Sequence, residues 1–189
     1  MKQEPTKQRI LTEAVKLFSS EGYEAVSVDR IAKAVGIKAP SLYKHYKNKR
    51  EIFDSILRVM EQRDEENAAA CSVPVGSAEE TPEAYEQSSP EQLCAFGRLQ
   101  FRYWTEDEFA SSFRKMLTVE QYRSKEMNGL YHQYLGAGPL KYVADLLGSE
   151  AEALSFYGPM HLLYSVYDDA EDKTAVLALL DAHLERWNR

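Results

Sequence analysis

Every periodic stretch of this 189-residue chain has the helical repeat, and the first fifty residues break that repeat into three short pieces with tight turns. Ile10, Leu11, Ala14, Val15 and Phe18 fall on one apolar stripe. Gly22, able to take the left-handed cap conformation, ends it. Ser27 is a sound N-cap for a helix over Val28 to Val35, with Asp29 in the first turn, where the helix dipole favours an anion. Gly36 closes that helix. Pro40 sits where a first-turn proline costs no hydrogen bond, and it opens a helix through about Tyr46. Two helices joined through a glycine form a helix-turn-helix. Basic and tyrosyl residues crowd its second helix, as entry into a DNA major groove requires.

Beyond this head the chain stays helical. Asn48 with Glu51 three residues later resembles a capping box, starting a helix that carries Ile52, Phe53, Ile56, Leu57 and Met60 on one face. From Cys71 to Pro90 the composition shifts to Ser, Glu and Thr punctuated by Pro74, Gly76, Pro82 and Pro90, which reads as a linker or mobile loop, helical at most around Glu83 to Gln87. Ser89-Pro90-Glu91-Gln92 restarts the helices. Thr105 with Glu108, and Ser149 with Glu152, repeat the box pattern. The spacing predicts helices near 90–104, 106–117, 119–135, 139–147, 150–168 and 171–187. Gly158-Pro159 should kink or divide the second-last of them. No strand pattern competes, so the expected fold is all-α. Its expected parts are a helix-turn-helix domain at 1–47, a connecting helix at 48–70 and a larger helical domain at 71–189.

Charge divides the chain. Residues 1–60 carry twelve Lys and Arg against seven Asp and Glu, a balance of +5, and the remainder stands at −12 within an overall −7. A basic head on an acidic body directs a polyanion to the head. Cys71 and Cys94 lack metal-type spacing and read as free, incidental thiols instead of a redox pair. Nothing resembles a signal peptide, and the apolar runs fall far short of a membrane span, which points to a cytoplasmic protein. No nucleophile–base pair, carboxylate dyad, phosphate loop or metal cluster occurs. A helical enzyme is therefore the remotest reading, and neither a cofactor nor a metal is expected.

Three runs carry a family resemblance. They are Arg9-Ile10-Leu11, Ala14, Leu17-Phe18 and Gly22-Tyr23 in the first helix; Ile31-Ala32 and Val35-Gly36-Ile37 in the second; and Ser41-Leu42-Tyr43, His45-Tyr46, Asn48-Lys49 and Ile52 onward. In residue type and spacing, Thr6 to Leu57 resembles the N-terminal domain of the TetR family of transcriptional repressors. The remaining two thirds resembles the family only as a helical body of the expected size. The chain departs from the family at the start of the recognition helix: Lys38 stands where Ser or Thr commonly caps it, and Pro40 stands near a common Gly. Pro40 and packing are expected to hold that helix start.

Groove-facing positions lie at the start and along one side of a recognition helix, so Lys38, Ala39, Pro40, Ser41, Tyr43 and Lys44 are the candidate base readers. Lys44 suits guanine O6 and N7, and Ala39 or Pro40 a thymine methyl. Ser27, at a helix N-terminus, can offer its hydroxyl and amide to a phosphate. The resemblance implies phosphate contacts for Tyr43, His45 and Lys49, and a packed aromatic at Tyr46 that closes the small core.

One such head makes few contacts, so most pair across a two-fold axis and read half-sites about 34–36 Å apart. Phe156, Met160, Leu163 and Tyr167 form one stripe, and Val176, Leu180, Leu184 and Trp187 another. These are the candidate dimer surface, against the alternative that they only close the monomer core. The aromatic residues Phe96, Tyr103, Trp104, Phe113, Tyr122, Tyr131 and Tyr134 are candidate lining for a flat or lipophilic effector, although such stripes are more often plain core. The pocket itself is implied by the resemblance. The expected function is a ligand-responsive regulator, foremost a repressor, that binds a palindromic operator as a homodimer and is released by a small-molecule effector. The alternative is an activator or a nucleoid or division factor using the same head.

Overall fold

The computed structural model describes residues 5–70, 73–74 and 89–187. Among these, every regular element is an α-helix: α1 (Thr6–Glu21), α2 (Val28–Val35), α3 (Ala39–Leu42), α4 (Lys49–Ala70), α5 (Pro90–Glu106), α6 (Glu108–Glu120), α7 (Lys125–Tyr134), α8 (Ala137–Leu147), α9 (Glu150–Asp169) and α10 (Lys173–Leu184). Cys71 and most of the 71–90 linker lie outside the described residues.

The chain forms two compact units that do not follow chain order. One holds the described residues of Met1–Gln62 with Glu108–Leu130, the other those of Arg63–Asp107 with Tyr131–Arg189. Thus α6 and most of α7, inside the stretch 71–189, fold with the helix-turn-helix.

In the first unit Ile10, Ala14, Val15 and Phe18 of α1 are fully buried with Ile31, Leu42, Ile52, Phe53 and Ile56. Burial of each such side chain contributes roughly 1.5–3 kcal/mol. Phe113, Met116 and Leu117 of α6 are equally buried, and α6 packs along α1. Tyr46 is 2% exposed and closes this core, its hydroxyl 3.4 Å from the Lys7 carbonyl. Burial pushes that phenol up to about 12.

Local chemistry sets the turn between α2 and α3. Ser27 caps α2 by accepting from the Arg30 amide at 3.1 Å. Gly36 takes φ +78°, where a side chain would be strained, and lets the Ile37 amide reach back to the Ala32 carbonyl at 3.0 Å. The Arg9 guanidinium donates to the Val35 carbonyl at 2.6 Å. The recognition helix is shorter than the expected run to Tyr46. It is a single turn, Ala39–Leu42, followed by turns closed by His45 and Tyr46 amides on the Leu42 carbonyl. Lys38 gives it no side-chain cap, so Pro40 in its first turn and the buried Leu42 hold it in place.

In the second unit the Ser89–Gln92 capping box is complete in both directions. Gly97 lets α5 approach α9 closely: a Cβ there would lie 3.2 Å from the Phe156 ring and 3.3 Å from Met160. Phe101 stacks on Tyr164 at 5.3 Å, and Arg98 Nε meets Asp181 at 2.7 Å. The helix boundaries correct two sequence expectations here. Thr105 does not start a helix; it lies within α5, and its hydroxyl donates back to the Phe101 carbonyl at 2.7 Å. Pro159 does not divide α9, which runs unbroken from Glu150 to Asp169. Phe156 and Met160, both buried, anchor the helix on either side of the proline.

Candidate nucleic-acid interface

The buried Leu42 faces the first unit's core, which turns the rest of α3 and its flanks outward. Lys38, Pro40, Tyr43, Lys44 and His45 are exposed, Tyr43 by 52%, while Ala39 and Ser41 are half-buried. Exposed Ser27 stands at the N-terminus of α2, where free amide groups and the dipole favour an anion. A compact stretch of cations, hydroxyls and one large exposed ring can therefore meet a phosphate backbone and a groove together. Sequence reasoning left out Lys33 and Lys47, two more exposed cations of this unit.

Lys49 differs from the other eight candidates. Its ammonium donates to the Tyr23 carbonyl at 2.7 Å and the Glu24 carbonyl at 3.2 Å, and lies 4.4 Å from the centre of the Tyr23 ring. Two of its three N–H groups are thus directed at the α1–α2 connection. Sequence reasoning also missed Glu120, a carboxylate that is 2% exposed. Its Oε1 accepts from the Tyr23 amide at 3.1 Å and from Arg123 Nη1 at 3.0 Å. Gly22, at φ +87°, opens that turn. A Cβ at Gly22 would lie 2.7 Å from Arg123 Nη1 and 3.1 Å from Glu120 Oε1. Close by in sequence, Arg50 bridges to Asp54 and Glu126, each at 2.7 Å. Nothing in the sequence signals a pairing between residue 23 and residue 120, because it depends on α6 folding back on α1.

The seven aromatic residues expected around an effector are divided between the two units. Phe113 is fully buried in the first unit, and Tyr122 stands 86% exposed on a turn of that same unit. The chain leaves its helix at Glu120, so Tyr122 falls off the stripe that its spacing implied. The other five belong to the second unit. There Trp104 and Tyr134 are buried, with the Trp104 ring 5.2 Å from Tyr103 and 6.3 Å from Tyr134. Tyr131 bonds His161 Nε2 at 3.2 Å, and Phe96 lies 5.8 Å from Tyr142.

Of the eight residues expected at a dimer surface, Phe156, Met160, Val176, Leu180 and Leu184 are buried within their own unit. Leu163, Tyr167 and Trp187 are half-buried, Trp187 edge-on to Phe156 at 5.3 Å. These stripes close the unit's core. The exposed apolar side chains of α9 and α10 are instead Leu154, Leu162, Val166 and Leu179. Cys94 is buried against the Leu184 carbonyl at 3.4 Å, and burial pushes its thiol up, away from thiolate reactivity. Among the described residues no cluster of His, Cys, Asp or Glu could hold a metal ion, and no helix is long and apolar enough to cross a membrane.

The geometry agrees with what the chain is similar to. Residues 10–56 match the family described as bacterial regulatory proteins, tetR family. Over 47 residues the chain is 49% identical to the biofilm operon icaADBC HTH-type negative transcriptional regulator IcaR of Staphylococcus epidermidis, the match covering 25% of each protein. The Staphylococcus aureus protein of the same description is 40% identical over 52 residues, 28% of each. The chain thus spans only about a quarter of the length of the curated relatives it matches. The fold as a whole is shared with a transcriptional regulator of Aquifex aeolicus, at a TM-score of 0.63, 19% identity and coverage of 96% of this chain and 98% of that one. It is shared too with AmtR of Mycobacterium smegmatis, at a TM-score of 0.66, 18% identity and coverage of 100% and 89%. These relatives are regulators, not enzymes. Residues 10–56 thus carry the similarity to the tetR family of bacterial regulatory proteins, and the rest of the chain shares with the solved structures the fold alone.

Proposed function

We propose that the protein is a transcriptional repressor that binds a palindromic operator as a homodimer and is released by a small-molecule effector. The observation that carries this reading is the outward face of α3 and its flanks, where Lys38, Pro40, Tyr43, Lys44 and His45 stand exposed beside the α2 N-terminus. That face unites the two things specific binding needs, cations and hydroxyls for phosphates and side chains for base edges. Base reading falls to Lys38, Ala39, Pro40, Ser41 and Lys44, and phosphate holding to Ser27, Tyr43 and His45. Lys49 acts mainly by fixing the α1–α2 connection. The printed description of IcaR as a negative regulator supports repression over activation.

The exposed Leu154, Leu162, Val166 and Leu179 on α9 and α10 support pairing through these two helices, which would form a four-helix contact with their symmetry mates. The second unit holds the effector, and an effector that prefers a head spacing unsuited to DNA shifts the population off the operator. A mobility-shift titration on the DNA flanking the protein's own gene tests the reading, alongside a reporter driven by that promoter. Retarded DNA with reporter output raised on deletion of the protein supports repression. Reporter output lowered on deletion overturns repression, and failure to retard any flanking duplex overturns the DNA-binding assignment.

A further inference from the structure

Glu120, the last residue of α6, lies far outside the segment 10–56 that carries the family similarity, yet its side chain ends at the α1–α2 connection. No other acidic side chain among the described residues is so deeply buried, at 2% exposed. Burying a carboxylate is costly even when it is paired, and apolar residues of similar volume commonly hold helices together as well or better. Contact between α6 and α1 therefore does not call for an acid at this position. What the acid adds is direction. Charge-assisted hydrogen bonds are strong and geometrically demanding, and Glu120 Oε1 accepts two, from the Tyr23 amide and from Arg123.

The backbone at Tyr23 is thus gripped on both sides. Its amide is held by Glu120 of α6 at 3.1 Å, and its carbonyl by Lys49, the first residue of α4, at 2.7 Å. Its ring packs on Phe18 of α1 and Phe53 of α4, at 5.0 and 5.1 Å. Glycine at position 22 leaves room for the carboxylate, since a Cβ there would lie 3.1 Å from Oε1. From Tyr23 the chain runs to Ser27 with Val26, 1% exposed, seated in the core. Ser27 then caps α2, and Arg30 beyond it reaches back to Glu21 of α1 at 2.7 Å. The peptide that Glu120 holds is therefore the near end of a short, anchored run whose far end is the phosphate-facing N-terminus of α2.

We propose that Glu120 is a positioning residue for DNA binding: through the Tyr23 amide it fixes the α1–α2 connection, and with it the place of Ser27 against a phosphate. The assignment rests on the reading of Ser27 and the α3 face as the DNA interface, and adds to that interface a determinant from beyond the helix-turn-helix. Without the carboxylate, the apolar core of Ile10, Phe18, Phe53 and Phe113 still closes the first unit. The Tyr23 amide loses its acceptor, however, and the connection is no longer set from the α6 side. A hydrogen bond to phosphate weakens steeply with distance and angle, so the Ser27 contact is the one that suffers. Base reading from α3, which Pro40 and the buried Leu42 hold, is left as it was. The loss is therefore the same for every sequence.

The probe is a duplex that the parent protein enriches from a random library, titrated by fluorescence anisotropy at several salt concentrations and at a temperature where each variant is folded by circular dichroism. Glu120→Ala should bind about tenfold more weakly, with the slope of log affinity against log salt shallower by about one, and should enrich the same sequence. Glu120→Gln, which keeps an acceptor for the Tyr23 amide, should stay within about threefold of the parent. Leu117→Ala, a core truncation on the same helix, should keep both affinity and slope once folded. Ser27→Ala should weaken the parent but change Glu120→Ala little, a non-additivity that a purely stabilising residue does not produce. If Glu120→Ala does not fold, Glu120→Asp carries the same comparison, since it keeps the charge and withdraws the carboxylate by one methylene. A binding parent whose Glu120 variant matches it in affinity and slope, or independent costs at Ser27 and Glu120, overturns the positioning role alone. A parent that enriches no duplex overturns the DNA-binding reading and this role with it.

Discussion

The Lys49 ammonium lies 2.7 Å from the Tyr23 carbonyl oxygen and 4.4 Å from the centre of the same residue's ring, so one side chain clamps the turn between α1 and α2 from two directions. Replacing Lys49 with Met keeps the stem and removes the charge and both carbonyl contacts. Loss of these should lower unfolding free energy by roughly 1–3 kcal/mol, read from urea denaturation. A variant as stable as the parent, yet weaker on DNA, would return Lys49 to a direct phosphate role.

Glu120 performs the matching task from α6. Because its carboxylate is buried and accepts from the Tyr23 amide and Arg123, Glu120→Ala leaves both donors without their acceptor. The cost should be roughly 2–4 kcal/mol, and Glu120→Gln, which keeps an acceptor oxygen, should cost about half of that. Equal stability of parent and Glu120→Ala in differential scanning calorimetry would contradict this.

Asp64 makes stability depend on pH in an unusual direction. Burial raises its carboxyl to about 7, so the folded chain holds this proton more tightly than the unfolded chain does. The group's contribution is most favourable below about pH 4, declines as pH rises toward about 7, and stays at its least favourable above that. Arg63, Tyr103 and Asp107 are the neighbouring polar groups, and Arg63 is engaged with Asp107. Asp64→Asn should therefore be more stable than the parent at pH 8, by at most roughly 4 kcal/mol, with the gap closing toward pH 4. Parallel melting temperatures for the two proteins across that range would exclude a buried, protonatable Asp64.

The faces of α9 and α10 separate two roles that are alike in composition. Leu162 is 64% exposed and Leu180 is 1% exposed. Leu162→Glu should sediment as a folded monomer at concentrations where the parent is a dimer. Leu180→Ala should keep its oligomeric state and lose roughly 2–4 kcal/mol of stability, as a cavity mutation does. A dimer that survives Leu162→Glu together with Leu154→Glu would place the contact elsewhere.

The head was legible because its signals are local. Ser27 caps α2 through a bond three residues away, and Gly36 ends it with positive φ. Neither depends on distant parts of the chain. Thr105 shows how a local signal is overridden: the four-residue pattern is present, but Phe101 and Trp104 are buried around it and the helix continues. On α9 and α10 both faces are apolar, so periodicity alone could not choose the inward one. Close approach at Gly97 chose Phe156 and Met160 and left Leu154 and Leu162 outside. Asp64 was invisible for the opposite reason, since within the run from Glu61 to Glu66 it looks like one more solvated charge.

The central claim is that the outward face of α3 reads DNA, and selection from a random duplex library with parent and Lys44→Ala proteins tests it most directly, with Tyr43→Phe as a second comparison. The parent should enrich a palindrome with half-sites about one helical turn apart. Lys44→Ala should enrich the same palindrome with relaxed preference at one symmetric pair of positions, a loss of about 1–3 kcal/mol of discrimination. Tyr43→Phe should keep every preference and bind all of the enriched sequences more weakly. Identical enrichment and affinity for all three proteins, or no enriched sequence for the parent, would contradict the account.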